Sequence, residues 1–84
     1  MYYEFKATGV SPWFKVPLNF NVDLYGDGVG TVSLEKTYNG GRDVIAVKTL
    51  EKGDPQIGTE KERTSLYRFN CSAYTSGTLK CRAK

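Results

Sequence analysis

The strongest constraint on the fold is a strict alternation of apolar and polar side chains between residues 13 and 25. A two-residue period places all the apolar members on one face of a β-strand, whereas a helix needs a period of about 3.6. Pro17 cannot donate a hydrogen bond to a β-ladder, so we expect one bent strand, or two strands that meet at this proline. The alternating apolar residues are Phe14, Val16, Leu18, Phe20, Val22 and Leu24.

Glycine-rich turn signals divide the rest of the chain into short segments. They are Gly-Asp-Gly at residues 26–28, Asn-Gly-Gly at 39–41, Lys-Gly-Asp-Pro at 52–55 and a weaker Ser-Gly at 76–77. Asn-Gly supplies the positive backbone angles of a tight β-hairpin. We therefore predict that residues 29–38 and 43–50 form a hairpin. A phosphate-binding loop is disfavoured, because no helix follows these glycines.

The alternation also predicts which side chains of the later strands face the core. Residues 2–8 form an N-terminal strand or an extended arm, and residues 56–63 a short edge strand. The predicted inward residues of the central hairpin are Val32, Leu34, Ile45 and Val47. Those of residues 64–74 are Tyr67, Phe69, Cys71 and Ala73, and those of residues 78–84 are Leu79, Cys81 and Ala83.

These segments predict an all-β fold, a small antiparallel β-sandwich or partly open barrel of about seven hairpin-connected strands without significant helix. The chain has 84 residues, which suits one domain. Residues 1–10 are the N-terminal strand or arm, and residues 11–84 are the sandwich domain. So small a core favours support from oligomerisation or a partner.

The two cysteines are predicted to be neighbours on the last two strands. A three-residue loop at 75–77 would place Cys71 opposite Cys81 and Phe69 opposite Ala83, which keeps all apolar residues on one face. The pair is either two small buried hydrophobes or a disulfide that closes the terminal hairpin. Reduced thiols are favoured, because disulfides are rare in a cytoplasm.

Composition excludes several classes of chemistry. The chain has no histidine and two cysteines, which removes histidine acid–base catalysis and a structural zinc site. We therefore expect no enzyme activity and no cofactor or metal. The net charge of +3 is too small to indicate nucleic-acid binding. No apolar run is long enough to cross a bilayer, and the N-terminus lacks the features of a secretion signal.

Basic and aromatic residues are the candidate binding residues. Arg68, Lys80, Arg82 and Lys84 occupy alternate positions and are expected to share the outer face of the terminal hairpin. This face is either a solvated surface that protects a sheet edge or a basic patch for an acidic partner. Nucleic acid is a weaker third possibility, because aromatic residues are not interleaved with these charges.

The aromatic candidates lie near the N-terminus. Trp13 either caps one end of the core or anchors a partner, since exposed tryptophan is a preferred interface residue. Tyr2, Tyr3 and Phe5 form an aromatic arm that can add to the sheet of a neighbouring subunit.

Two segments resemble small structural proteins encoded in the head and tail gene clusters of tailed bacteriophages and prophages. Residues 11–44 read SPWFKVPLNFNVDLYGDGVGTVSLEKTYNGGRDV, and residues 66–82 read LYRFNCSAYTSGTLKCR. The glycine- and acid-containing segment between them also fits the pattern. The most specific piece is Tyr-Thr-Ser-Gly-Thr at 74–78, and no piece is a catalytic signature.

The resemblance implies a non-enzymatic virion structural protein, a capsid decoration or cement protein that binds the head shell in many copies. Its partners would be the major capsid protein or other virion proteins. It would be a homo-oligomer, with a trimer favoured, made in the host bacterial cytoplasm and located in the virion. The alternatives are a tail or fibre component, or a small carbohydrate- or surface-binding β module in which Trp13 and tyrosines stack on sugars.

The turn at residues 37–41, Thr-Tyr-Asn-Gly-Gly, also resembles a degenerate Asp-box of the sialidase type. Asn39 replaces the usual Asp, and Asp43-Val44 replaces the expected Thr-Trp. An Asp-box marks a β-hairpin and carries no catalysis, so this resemblance bears on the fold only.

Overall fold

A computed structural model describes residues 1–53 and 65–84, together with the backbone of residues 56–59. Within these residues the chain forms eight β-strands and no helix, so no described helix could span a membrane. The strands are β1 (Tyr2–Phe5), β2 (Gly9–Val10), β3 (Asn19–Tyr25), β4 (Val29–Thr37), β5 (Ile45–Thr49), β6 (Gln56–Thr59), β7 (Leu66–Ser76) and β8 (Leu79–Ala83).

The eight strands form two antiparallel four-stranded sheets. Sheet A has the order β1-β8-β3-β6, and sheet B has the order β2-β7-β4-β5. The antiparallel pairs β4·β5, β3·β6, β2·β7 and β1·β8 are successive rungs of one long hairpin. These rungs fall alternately in the two sheets, so the long hairpin is rolled up. This is the connectivity of an eight-stranded jelly roll, and the predicted all-β sandwich is confirmed.

The long alternating segment forms a strand only in its second half. Phe20, Val22 and Leu24 on β3 are buried as predicted. Before Pro17 the chain lies beside sheet B instead, where Phe14 forms a single antiparallel bridge with Tyr67. The chain therefore changes sheets around the proline. The expected break at Pro17 is present, but the segment before it forms an isolated bridge and not the expected strand. Leu18 lies in this crossing and is exposed, so its predicted place in the core is wrong.

The predicted central hairpin is confirmed as β4 and β5. Gly40 and Gly41 have φ angles of 74° and 98°, which favour glycine. The Asn39 side chain organises the loop: its Oδ1 accepts from the Thr37 hydroxyl at 2.9 Å and from the Asp43 amide at 2.9 Å. The Asn39 Nδ2 also donates to Asp43 Oδ2 at 2.7 Å. The loop is thus built by side chains, as Asx-type turns are.

Val32 and Leu34 are buried on β4 as predicted, but Ile45 and Val47 on β5 are not. Both are 44% exposed. β5 is the outer strand of sheet B, and a bulge between Leu34 and Glu35 in its pairing with β4 interrupts the alternation. An edge strand has a neighbouring strand on one side only, so its side chains are less covered. The alternation of apolar residues therefore predicts more burial on β5 than the structure has.

A second irregularity reverses the alternation within β7. Two consecutive residues of β4 pair with Cys71 and Ala73, so Ser72 is an extra residue. Beyond this bulge Ala73 is exposed and Tyr74 packs against the core. The predicted inward position of Ala73 is therefore wrong, since a bulge exchanges the two faces of a strand. The other inward residues of the last two strands are confirmed: Tyr67, Phe69, Cys71, Leu79, Cys81 and Ala83.

The last two strands do not form a hairpin. β7 belongs to sheet B and β8 to sheet A, and the chain crosses between the sheets at Gly77. Cys71 pairs with Val32, and Cys81 pairs with Tyr3 and Leu24. The predicted cross-strand pairing of Cys71 with Cys81 is wrong. A hairpin and two opposed sheets would both place these residues on an inward face, so the alternation of side chains could not distinguish the two arrangements. The structure shows both thiols free and buried.

The N-terminal segment forms a strand that pairs within its own chain. β1 pairs with β8 along Tyr2–Phe5, and the Met1 amine donates to the Ala83 carbonyl at 2.7 Å. Phe5 is 4% exposed, and the Tyr3 ring meets it edge-on with centroids 4.9 Å apart. The prediction of an extended aromatic arm is wrong in this structure, because two of its three rings pack inward. Residues 56–63 were expected to hold an edge strand, and β6 is one, while residues 60–64 lie outside the described residues.

Two chain crossings meet at one end of the sandwich, between β3 and β4 and between β7 and β8. The Gly28 amide donates to the Thr78 carbonyl at 2.8 Å, and the Thr78 amide donates to Asp27 Oδ1 at 3.0 Å. The Tyr74 hydroxyl donates to the Gly77 carbonyl at 2.6 Å. The first two contacts tie the β3–β4 crossing to the β7–β8 crossing, and the third lies within the β7–β8 crossing.

The buried thiols should resist chemical modification and make the fold sensitive to alkali. Burial first, and then the neighbouring Cys71 thiol, raises the pKa of Cys81 from 9.0 to about 12. Because the thiolate is the reactive form, a disulfide reagent at pH 8 should react with the native thiols far more slowly than with those of the unfolded chain.

The unfolded thiol loses its proton near pH 9, whereas the native one keeps it to about pH 12. The unfolded chain therefore binds fewer protons in this interval, and the stability linked to Cys81 is lost between these two pH values. Denaturation curves measured across this range should show a smaller loss for Cys81→Ala than for the natural chain. An equal loss would show that Cys81 does not carry the effect.

Candidate binding faces

The candidate functional residues lie on the two outer faces of the sandwich, which point away from each other. We call the outer surface of sheet A the tyrosine face. It consists of Tyr2, Glu4, Asp23, Tyr25, Lys80, Arg82 and Lys84. We call the group on the outer surface of sheet B the Trp13–Arg68 cluster. It consists of Trp13, Glu35, Arg68 and Asn70.

Strand pairing assembles the tyrosine face from three separate parts of the chain. Tyr2 of β1 and Asp23 of β3 both lie opposite Arg82, which occupies the strand between them. Glu4 and Tyr25 likewise flank Lys80. The alternation directs these residues outward, because their strand neighbours fill the core. The face is therefore a row of basic residues with an aromatic and an acidic residue on each side.

Arg82 is held in place by its neighbours. Its Nε and Nη2 donate to Asp23 Oδ2 at 3.2 Å and 2.8 Å, and its guanidinium carbon lies 5.9 Å from the centre of the Tyr25 ring. The hydrogen bond with Asp23 raises the pKa of Arg82 above its ordinary value. This ion pair is exposed, so it orients the side chain more than it stabilises the fold.

The two tyrosines of this face present exposed rings. Tyr2 is 49% exposed and Tyr25 is 37% exposed. Partial desolvation, and then the adjacent Glu4 carboxylate, raises the pKa of Tyr2 to about 12. The hydroxyl of Tyr2 is already hydrogen-bonded to the Glu4 carboxylate, so its exposed ring is its main contribution to the face. Exposed tyrosines beside an arginine are the residue types that dominate binding energy at protein interfaces.

The Trp13–Arg68 cluster is a more buried arrangement. Arg68 Nε donates to Glu35 Oε1 at 2.8 Å, and Asn70 Nδ2 donates to Glu35 Oε2 at 3.0 Å. The Arg68 guanidinium carbon lies 4.5 Å from the centre of the Trp13 ring. Burial raises the pKa of Glu35, but the hydrogen bonds from Asn70 and Arg68 outweigh it, and the pKa is lowered below its ordinary value.

Trp13 lies outside the core, so the first of its two predicted roles, as a cap on one end of the core, is wrong. Its indole stacks on Arg68 on one side and approaches the β4–β5 loop on the other, where a Cβ added to Gly41 would lie 3.2 Å from Trp13 Nε1. The loop glycine thus leaves room for the tryptophan. Since Arg68 already covers this ring, Trp13 is a poor open platform for stacking on a sugar.

The structure divides the predicted basic patch between the two faces. Lys80, Arg82 and Lys84 belong to sheet A, but Arg68 belongs to sheet B. The prediction that all four share one surface is wrong, because it depended on the hairpin between β7 and β8. Of the predicted aromatic residues, Tyr2 joins the tyrosine face, whereas Tyr3 and Phe5 pack inward.

Three residues of these faces, Tyr25, Glu35 and Asn70, were not among the binding residues predicted from the sequence. Tyr25 stands on the polar side of the 13–25 alternation. An aromatic residue on a polar face indicates an exposed ring and therefore a candidate binding residue. Glu35 also stands on the outward side of its strand. Its contact with Arg68 follows from the register of β4 against β7, in which these two residues are directly paired.

Among the described residues, no group of three or more acidic or cysteine side chains is placed to hold a metal ion. Comparisons of the chain with protein-family models, with curated proteins and with solved structures give no match.

Proposed function

We propose that this protein acts by binding, as a non-enzymatic structural component of a bacteriophage virion. Its role would be that of a capsid decoration protein, attached to the major capsid protein of the head shell in many copies. The virion assignment rests on the resemblance of residues 11–44 and 66–82 to phage structural proteins. The tyrosine face is the observation that supports a binding role.

The tyrosine face suits attachment to a large protein surface. It lies on a pleated sheet, where regular backbone hydrogen bonds hold the strands in place and so set the spacing of the side chains. Tyr2 and Tyr25 offer large apolar rings with a polar tip, and Lys80 and Arg82 supply positive charge for an acidic partner. Each copy would contribute modest affinity, and attachment at many sites would add to it.

The fold and one edge strand give further support. Jelly rolls occur in viral capsid domains and in lectins, an analogy at the level of fold alone. β5 exposes Ile45 and Val47 at the edge of sheet B, and Val44, just before the strand, is exposed as well. An exposed apolar edge strand favours association, which is consistent with the homo-oligomer, a trimer, that we propose.

Co-sedimentation with phage heads tests this function. Purified protein would be mixed with empty expanded heads of the phage or prophage that encodes it, made without this protein. We expect it to sediment with the heads at a fixed number of copies. The double variant Tyr25→Ala, Arg82→Ala should lose at least about tenfold in affinity, because interface tyrosine and arginine each contribute about 1–2 kcal/mol or more.

The matched control is Tyr38→Ala, which removes a similarly exposed tyrosine, 42% accessible, from the loop that follows β4. It should bind heads as the natural chain does. Equal losses in both variants would contradict the assignment of the tyrosine face. Binding to isolated tails, or to glycans with no binding to heads, would replace decoration by a tail, fibre or carbohydrate-binding role.

A further inference from the structure

We propose that Arg68 is a binding site for a carboxylate group, supplied by an acidic segment of a partner protein. The site lies on the outer surface of sheet B, on the opposite side of the sandwich from the tyrosine face. It therefore goes beyond the function proposed above and does not depend on it.

Three neighbours fix the position of the Arg68 side chain before any partner arrives. Glu35 accepts from its Nε at 2.8 Å, and Trp13 lies against its plane at 4.5 Å. Asn70 in turn holds the other oxygen of Glu35 at 3.0 Å. A guanidinium held in this way loses little conformational freedom on binding, which is the principal cost of using a long side chain at an interface.

Within the described part of the chain, the terminal nitrogens of Arg68 remain available. Nη1 and Nη2 make no hydrogen bond to any described residue, while 22% of the side chain is open to solvent. Two parallel N–H donors of a guanidinium match the two oxygens of a carboxylate. Arg82 differs, because its Nη2 as well as its Nε is already directed at Asp23.

The surroundings favour a carboxylate over the phosphates of a nucleic acid. Glu35 already accepts from Arg68 Nε at 2.8 Å, so a partner meets the single pair of terminal donors, which the two oxygens of one carboxylate can occupy. Trp13 covers one side of the Arg68 guanidinium at 4.5 Å, which leaves the edge with the two terminal nitrogens for a planar carboxylate. The chain's net charge of +3 is also small for a nucleic-acid binder.

The chain offers a direct probe of this site, because Trp13 is its one tryptophan. A blocked hexaglutamate peptide would be titrated at low ionic strength while Trp13 fluorescence is followed. We expect a saturable change for the natural chain. Arg68→Lys keeps the charge but loses the paired donors, and should weaken binding at least about tenfold.

Arg82→Lys is the matched control, since it makes the same replacement on the opposite face. It should bind the peptide within about twofold of the natural chain. Equal weakening in both variants, or none in Arg68→Lys, would overturn the proposal. So would tighter binding of inorganic phosphate or of a thymidine oligonucleotide at the same ionic strength, which would assign the site to phosphate.

A second measurement applies if Arg68→Lys does not fold. In the natural chain, the peptide should shift the NMR signals of the Trp13 indole N–H and the Arg68 Nε–H, and leave those of Tyr25 and Arg82 unchanged. Shifts centred on Tyr25 and Arg82 instead would overturn the assignment. Peptide binding and head attachment are separate assays on opposite faces, so failure of one proposal is distinguishable from failure of the other.

Discussion

Phe69→Ala should lower the free energy of unfolding by about 3–5 kcal/mol, as truncation of a fully buried phenylalanine does. Phe69 is completely inaccessible to solvent, and its ring lies 5.2 Å from that of Phe14. The residue sits on β7, between β2 and β4, so neighbours on both sides restrict any collapse into the cavity. Small domains are stable by only about 5–15 kcal/mol, so the variant should be largely unfolded by mild heating.

Thermal and urea denaturation followed by circular dichroism would measure this loss. The control is Leu18→Ala, which removes an apolar side chain that is 57% exposed. It should change stability by no more than about 0.5 kcal/mol. Similar losses for the two variants would mean that the core is not centred where the structure places it.

Gly28→Ala should be strongly destabilising, with a loss of about 3 kcal/mol or more from overpacking against backbone. A Cβ at Gly28 would lie 2.5 Å from the Thr78 carbonyl carbon and 2.6 Å from the Leu79 amide nitrogen. Neither atom can move without separating the two chain crossings. The strain is purely steric, because Gly28 is not among the glycines with positive φ.

Gly40→Ala isolates the contribution of backbone conformation. Gly40 has a φ of 74°, and an added Cβ would meet nothing within 4 Å. The expected loss is therefore the cost of a left-handed conformation alone, about 1–2 kcal/mol. Chemical denaturation of both variants gives the comparison, and a larger loss for Gly40→Ala would show that the two crossings are not tightly packed.

The alternation of side chains predicted the inward residues of β3, β4 and β8 correctly, because these strands have neighbours on both sides. It failed at β5, where the edge of the sheet leaves Ile45 and Val47 exposed, and at Ala73, where a bulge exchanges the faces. Both failures concern the surroundings of a strand. The sequence of a strand shows how its apolar and polar side chains alternate, but it does not show which strands lie beside it.

The error at β7 and β8 has a different cause. An inward-facing strand looks the same in either sheet of a sandwich, so Cys71 and Cys81 satisfied a hairpin as well as they satisfy two opposed strands. The candidate residues depended on that choice. Arg68 was therefore grouped with Lys80 and Arg82, and its true neighbours Glu35 and Trp13 were missed until the register of β4 against β7 was known.

The rolled arrangement of the strands also governs when the chain can fold during its synthesis. The hairpin of β4 and β5 joins residues that are close in sequence, whereas β1 waits for β8, the last of the eight strands to leave the ribosome. β8 also separates β1 from β3, so sheet A lacks an inner member until residue 83 has emerged. Distant partners close slowly. The nascent domain must therefore remain incomplete, with apolar strands uncovered, until β8 has left the ribosome.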